Sequence, residues 1–306
     1  MKVIFFGTPD FGIPALRALC SDSFFQVVAV VTQPDRPGNR QRLTPSPVKV
    51  EAARLGLDCF QPADVKSEQS IAYLREKCAD VFVTAAYGQI LSQEVLDLPP
   101  LGVLNLHGSL LPKYRGAAPI QWAVIRGESE TGISVMKTTL KMDSGDILLQ
   151  QTTKILPNET AGELFDRLSQ ISAPLICSAL KRIRQIQPQP QEESEATYCG
   201  KITKELSVVN WNRAAEEIHN LVRGTNPNPG ARTFLDGKVL KIYRTRVEPN
   251  RNCLPCGQCA VENGRFFVGC GNGVIEILEL QPQDGKRMDA SQYVNGHDLS
   301  GKVLGK

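Results

Sequence analysis

The sequence predicts an α/β protein in two parts: a mostly parallel sheet covered by helices, then a small β-barrel. Three observations predict it. Through residues 1–185, short runs rich in Val, Phe and Ala alternate with stretches of helical periodicity. Gln185–Thr197 then reads QIQPQPQEESEAT, with no large apolar residue after Ile186. Beyond it the apolar runs become short, and Asp-Gly or Asn-Gly pairs separate them.

Val3–Phe6, Val27–Val31, Asp80–Ala86 and Val103–His107 read as strands, each bounded by Gly, Pro or polar residues. Ile13–Cys20, Val48–Leu55, Ser67–Cys78 and Ala117–Arg126 read as the helices between them. Such alternation makes a parallel sheet buried on both faces, whose strands are apolar nearly throughout. Gly132–Thr139 and Asp146–Ile155 follow as consecutive strands. Ala161–Arg184 is a long amphipathic helix with apolar Leu164, Phe165, Leu168 and Ile171. Residues 1–187 are therefore expected to form a Rossmann-like domain. The Pro- and Gln-rich stretch has linker composition, placed at 188–205. In residues 206–306, Ala214–Val222 reads as one short helix. Asp236-Gly237 and Asn272-Gly273 lie between apolar runs, a strong hairpin signal. Short strands of this kind suggest an OB-like barrel.

Composition is that of a globular chain, 42% hydrophobic and 22% charged over 306 residues. No apolar run approaches the roughly 20 residues of a membrane helix. Met1–Gly7 is too short for a signal peptide and reads as a first strand. The expected setting is the cytoplasm, and the expected state is a monomer with no membrane partner. Nine cysteines without a secretory signal read as reduced thiols, mostly small buried hydrophobes. Cys253, Cys256, Cys259 and Cys270 have the right chemistry for tetrahedral zinc. A structural zinc site usually shows two separated pairs, so the expectation is a Cys-rich loop without metal.

Net charge is +3. Residues 1–200 carry 20 Lys+Arg against 21 Asp+Glu, and residues 201–306 carry 15 against 11. One basic cluster is Arg36, Arg40, Arg42 and Lys49, opposed only by Asp35. The other is Lys238, Lys241, Arg244 and Arg246, with no acid among them. Such clusters can meet a polyanion. A solvated loop and a Lys/Arg-protected edge strand account for the same residues.

The chemistry concentrates in NLHGSLLPKYRGAAPIQ, Asn105–Gln121. Side chains alternate faces along a strand, so Asn105 and His107 point one way, and Leu104 and Leu106 the other. His107 ends its strand, and ligands of open parallel sheets bind at carboxyl ends. A lone Asn-x-His also fits a satisfied core histidine. KMDSGDIL adds Asp143 and Asp146 in a loop between two strands. An amide can donate to a developing oxyanion. A histidine can donate or shuttle a proton, and an acid can hold it and favour its charged form. Without a nucleophilic Cys or a G-x-S-x-G around Ser109, this set suits direct transfer through a tetrahedral intermediate. Gly7-Thr-Pro-Asp-Phe-Gly12 is neither G-x-G-x-x-G nor a P-loop, and reads as a turn into a helix.

NLHGSLLPKYRGAAPIQWAVIRG together with MDSGDIL resembles the folate-dependent formyltransferases. FFGTPDFG, TQPDRP…LTPSPVK and AAYGQIL extend the resemblance over nearly the whole chain, toward the branch that acts on tRNA. HGSLLPKYRG is highly specific for this superfamily. The resemblance implies 10-formyltetrahydrofolate as formyl donor, initiator methionyl-tRNA as acceptor, and no metal. It implies Asn105, His107 and Asp143 as the catalytic group. It places folate near Ser109, Leu110, Leu111 and Pro112, with Ala86, Tyr87 and Gly88 close by. It also implies a C-terminal OB-like domain that touches tRNA. The tRNA-binding residues expected on this basis are Arg36, Arg40, Arg42, Lys49, Lys238, Lys241 and Arg244. Two departures stand out: the loop Gly38–Leu43, where relatives are often richer in Gly and Lys, and the Cys253–Cys259 segment. Which loop arginine meets the acceptor stem stays open. The same fold could instead formylate a nucleotide-sugar amine or hydrolyse the donor, but a small sugar needs no basic loop 33–49. An RNA-binding protein without catalysis would not need Asn105, His107 and Asp143 together.

Overall fold

The computed structural model describes residues 1–37 and 43–305. The chain forms two compact units. The first comprises Met1–Pro119, Thr131–Thr153 and Phe165–Cys199; the second comprises Ile120–Glu130, Lys154–Leu164 and Gly200–Lys306. Up to residue 199 the strands are β1 (Lys2–Gly7), β2 (Gln26–Val31), β3 (Arg36–Pro37), β4 (Leu43–Thr44), β5 (Cys59–Phe60), β6 (Val81–Ala85), β7 (Val103–His107), β8 (Arg115–Gly116), β9 (Glu130–Lys137), β10 (Ile147–Lys154) and β11 (Tyr198–Cys199). The helices are α1 (Ile13–Ser21), α2 (Pro47–Arg54), α3 (Glu68–Glu76), α4 (Gln93–Leu96), α5 (Pro119–Ile125) and α6 (Ala161–Lys181).

The main sheet runs β10-β9-β7-β6-β1-β2-β5. From β5 to β7 every pairing is parallel, and β9 returns antiparallel to β7. This is the mostly parallel α/β sheet that the sequence predicts. Val3, Ile4, Phe5 and Phe6 of β1 are fully buried, as two covered faces require. Serine hydroxyls start the helices between strands: Ser46 accepts from Lys49 N, Ser67 from Ser70 N and Ser92 from Val95 N. Strand order reverses between β1 and β6. Ligands of such sheets bind beyond the carboxyl ends of the strands at that reversal. Ala86–Gly88 directly follow β6 there, and β7, which ends at His107, lies beside it.

The second unit adds α7 (Ala215–Gly224), β12 (Ala231–Leu235), β13 (Lys238–Val247), β14 (Cys259–Glu262), β15 (Arg265–Gly269), β16 (Val274–Pro282), β17 (Met288–Asp289) and α8 (Ala290–Gly296). Its antiparallel sheet runs β12-β13-β16-β15-β14, with β17 on β16. Among the described residues this path does not close into a barrel. Trp211, Ile218, Val222, Ile242, Phe266 and Ile277 form part of one core on it. Asp236-Gly237 closes β12 onto β13 with left-handed φ of 51° and 75°. Asn263-Gly264 closes β14 onto β15 in the same way, with φ of 52° and 74°. The Cys-rich reading hid this second hairpin, because its strand begins at Cys259. Cys259 and Cys270 are buried, which pushes their thiols up to about 11 and about 12. Cys253 and Cys256 are exposed. Among the described residues no group of three or more His, Cys, Asp or Glu is placed to hold a metal ion. Nor is any described helix long and apolar enough to cross a membrane.

Glu276 on β16 is buried between Arg265 of β15 and Arg246 of β13. Its hydrogen bond from Arg265, joined by one from Arg246, outweighs burial and holds its carboxyl at about 2, below the usual 4.5. A depressed pKa contributes stability above the unfolded value, and that stability is lost as pH falls toward the folded one. The contribution is at most about 3 kcal/mol. The melting-temperature gap between the native chain and Glu276→Gln is therefore expected to shrink as pH drops from about 4.5 to about 2. A gap that stays constant across thermal melts in this window would show that the charge of Glu276 contributes nothing.

Candidate active site

Asn105 and His107 lie on one face of β7, two residues apart and beside β6. Thr84 of β6 pairs in register with Asn105, and its Oγ1 donates to Asn105 Oδ1 at 2.8 Å. With Oδ1 engaged, the amide points its Nδ2 donor elsewhere, and Nδ2 has no partner among the described residues. His107 is buried, and its Nε2 lies 2.9 Å from Tyr114 O. A carbonyl only accepts, so Nε2 carries its hydrogen in both charge states. In the neutral ring Nδ1 is then the nitrogen without a hydrogen. Facing Nδ1 at 3.7 Å is Asp143 Oδ2. That oxygen also accepts from Gly116 N at 2.8 Å. Of the two acids in KMDSGDIL, the one beside His107 is Asp143.

The loops that hold this trio are tied from within. Ser109 is fully buried; its Oγ donates to Lys113 O at 2.6 Å, and its carbonyl accepts from Ser134 Oγ at 2.7 Å. Ser134 in turn accepts from Leu111 N at 3.0 Å. Leu111 packs on Met136 and Ile147. Asp143 sits at a left-handed φ of 47°. Two residues later only glycine fits, because a Cβ on Gly145 would overlap Lys137 O.

The residues expected at the folate fall into two groups. Ala86 and Gly88 are exposed, and Leu110 and Pro112 are partly exposed. Ser109, Leu111 and Tyr87 are buried and shape the surrounding loops. Among the residues expected at tRNA, Arg40 and Arg42 lie outside the described residues. Arg36 donates to Gln33 Oε1 at 3.3 Å, and Lys49 pairs with Asp35 at 2.7 Å. Lys238 is exposed and Lys241 partly so. Arg244 is paired with Glu163 at 2.6 Å and lies 3.7 Å from Glu279. The cluster 238–246 holds no acid in sequence, yet acids from other elements meet it in space. Sequence reasoning also missed Thr84, the Tyr114 carbonyl and the Gly116 amide. The last two are main-chain groups and leave no residue signature. Thr84 becomes visible only once β6 is known to flank β7.

Residues 1–180 match the formyl transferase family, and residues 201–298 match the formyl transferase C-terminal domain. A methionyl-tRNA formyltransferase from Acetivibrio thermocellus is 44% identical over 100% of both chains. An N-formyltransferase from Helicobacter canadensis, solved with folinic acid and dTDP-3-aminofucose, shares the fold with a TM-score of 0.67. It is 16% identical over 90% of this chain and 98% of its own. HypX from Aquifex aeolicus, solved with tetrahydrofolic acid, gives a TM-score of 0.64 at 16% identity. The match covers 95% of this chain but only 46% of that longer one. The chain belongs to the formyl transferase family, and within it to the methionyl-tRNA formyltransferases.

Proposed function

We propose that this chain transfers the formyl group of 10-formyltetrahydrofolate directly to the α-amino group of methionyl initiator tRNA, giving formylmethionyl-tRNA and tetrahydrofolate. The observation that carries the reading is the trio around the end of β7: an Asn105 Nδ2 without a partner among the described residues, a His107 whose Nε2 is held by Tyr114 O so that Nδ1 faces outward, and Asp143 Oδ2 3.7 Å from that Nδ1. Both substrates are brought to the protein, and the chain supplies hydrogen bonds and a proton path. The amine attacks the formyl carbon, the bond from that carbon to folate N10 breaks, and the amine's proton replaces the formyl group on N10. Negative charge builds on the formyl oxygen during attack. Asn105 Nδ2 and a protonated His107 Nδ1 are the donors to that oxygen, each worth about 2.7–4 kcal/mol of barrier. Asp143 faces the imidazole and accepts the amine's proton, directly or through a water.

The partly exposed stretch Ala86–Gly88 at the sheet's reversal, together with Leu110 and Pro112, forms the bed for the folate ring. The second unit acts as the OB-like tRNA-binding domain through Lys238, Lys241 and Arg244. The loop bearing Arg36, Arg40, Arg42 and Lys49 meets the acceptor stem. The protein works as a monomer in the cytoplasm, in translation initiation. An acceptor competition tests this reading. Given initiator methionyl-tRNA, elongator methionyl-tRNA and a nucleotide-linked amino sugar, the chain is expected to formylate the initiator tRNA first by a wide margin. Comparable transfer to the sugar amine would overturn the acceptor assignment.

A further inference from the structure

Residues 189–199 have the composition of a linker, but they lie within the first unit and run along both loops that hold Asp143. Gln189 exchanges two main-chain hydrogen bonds with Ile147, at 2.8 and 2.9 Å, just past the Asp143 loop. Tyr198 and Cys199 form β11, which pairs in parallel with β8 at Arg115 and Gly116. Thr197 O accepts from Arg115 N at 2.8 Å, and Thr197 Oγ1 accepts from Tyr114 N at 2.8 Å. The fit against β8 is close enough that a Cβ on Gly116 would overlap Cys199 O.

Gln191 lies at the centre of this segment. Its Nε2 donates to Asp143 O at 2.9 Å and to Gly145 O at 2.7 Å. Its Oε1 accepts from Arg115 Nε at 3.0 Å. One amide thus bridges the Asp143 loop to the residue next to Gly116, whose amide holds the Asp143 carboxylate. The Arg115 side chain is fully buried, and its side-chain partners among the described residues come from the same segment: Gln191, Glu193 at 2.8 Å and Tyr198 at 3.2 Å. Burial works against that charge, but the bonds to Glu193 and Tyr198 more than offset it and raise the Arg115 pKa. Glu193 also pairs with Lys141 at 2.6 Å, at the start of the Asp143 loop.

We infer that residues 189–199 are a strap that locks the Asp143 loop against the loop after His107, with Gln191 as the positioning residue for Asp143. An exposed tether would leave these bonds unmade. A three-way amide that bonds two carbonyls of the Asp143 loop and the Nε of a buried guanidinium is a device for fixing geometry. The inference rests on the formyl-transfer reading for its effect on rate, but not for its effect on the Asp143 loop.

Two variants test it. Gln191→Ala removes all three bonds. Gln191→Glu keeps the acceptor for Arg115 but removes both donations to the Asp143 loop. Each is expected to slow single-turnover formyl transfer by roughly 10- to 100-fold, the usual consequence of small misplacements at a reacting centre. KM for folate should stay within about twofold, since Gln191 touches none of the residues assigned to it. The second readout is hydrogen exchange at the Gly116 amide, which Asp143 protects. It should quicken by about tenfold or more in both variants, with exchange in β1 unchanged. If Gln191→Ala melts far below the native chain, Gln191→Glu carries the test alone. Native exchange at Gly116 in Gln191→Glu would overturn the inference. So would an unchanged transfer rate in an otherwise active chain. If the native chain itself transfers no formyl group, the formyl-transfer reading fails, and Gly116 exchange still decides the role of Gln191.

Discussion

Replacing His107 or Asn105 by alanine is expected to lower the single-turnover rate of formyl transfer about a hundredfold or more, and to leave folate affinity nearly unchanged. The reason is geometric. Asn105 Nδ2 and His107 Nδ1 are the groups on this face of β7 without a hydrogen-bond partner among the described residues, so they are available to a developing oxyanion. Hydrogen bonds that strengthen only as charge forms stabilise the transition state and not the bound substrate. The loss therefore falls on kcat and not on KM. Thr84 and Tyr114 remain in place in both variants, so the strand keeps its register. Near-native chemistry in either variant would remove that residue from the mechanism.

Replacing Asp143 by asparagine is expected to slow transfer by between about 10²- and 10⁴-fold, the range of general acid–base catalysis. The substitution keeps the shape and retains an oxygen to accept from Gly116 N. What it removes is the carboxylate 3.7 Å from His107 Nδ1, and with it the acceptor for the amine's proton. Single-turnover rates for Asp143→Asn, with Gly116 exchange as a check on loop geometry, measure this. A native rate with native exchange would show that Asp143 only shapes the loop.

Much of this could be read before any coordinates. Strands buried on both faces must be apolar runs, so β1, β2, β6 and β7 declared themselves. The Asn105/His107 pair was legible because alternation puts i and i+2 on one face. Other features depend on which elements become neighbours. No rule of spacing chooses Asp143 over Asp146, because the choice lies in how the loop folds over Gly145. Nothing local ties Gln191 to Asp143, since polar residues rich in Gln and Glu read as solvated chain until Arg115 is seen to need them. The same holds for Arg244, whose partner Glu163 is 81 residues away. The hairpin at Asn263-Gly264 was readable, but the neighbouring cysteines drew the reading toward a loop.

The most direct test of the account is rapid mixing of the chain with 10-formyltetrahydrofolate carrying a labelled formyl group and with charged initiator tRNA, followed over time for label on tRNA and on protein. The account predicts that label passes from folate to the methionyl amine in a single phase, with one tetrahydrofolate released per formylmethionyl-tRNA and no labelled protein at any time. A labelled protein that forms before the labelled tRNA, or tetrahydrofolate released without formylmethionyl-tRNA, would contradict it.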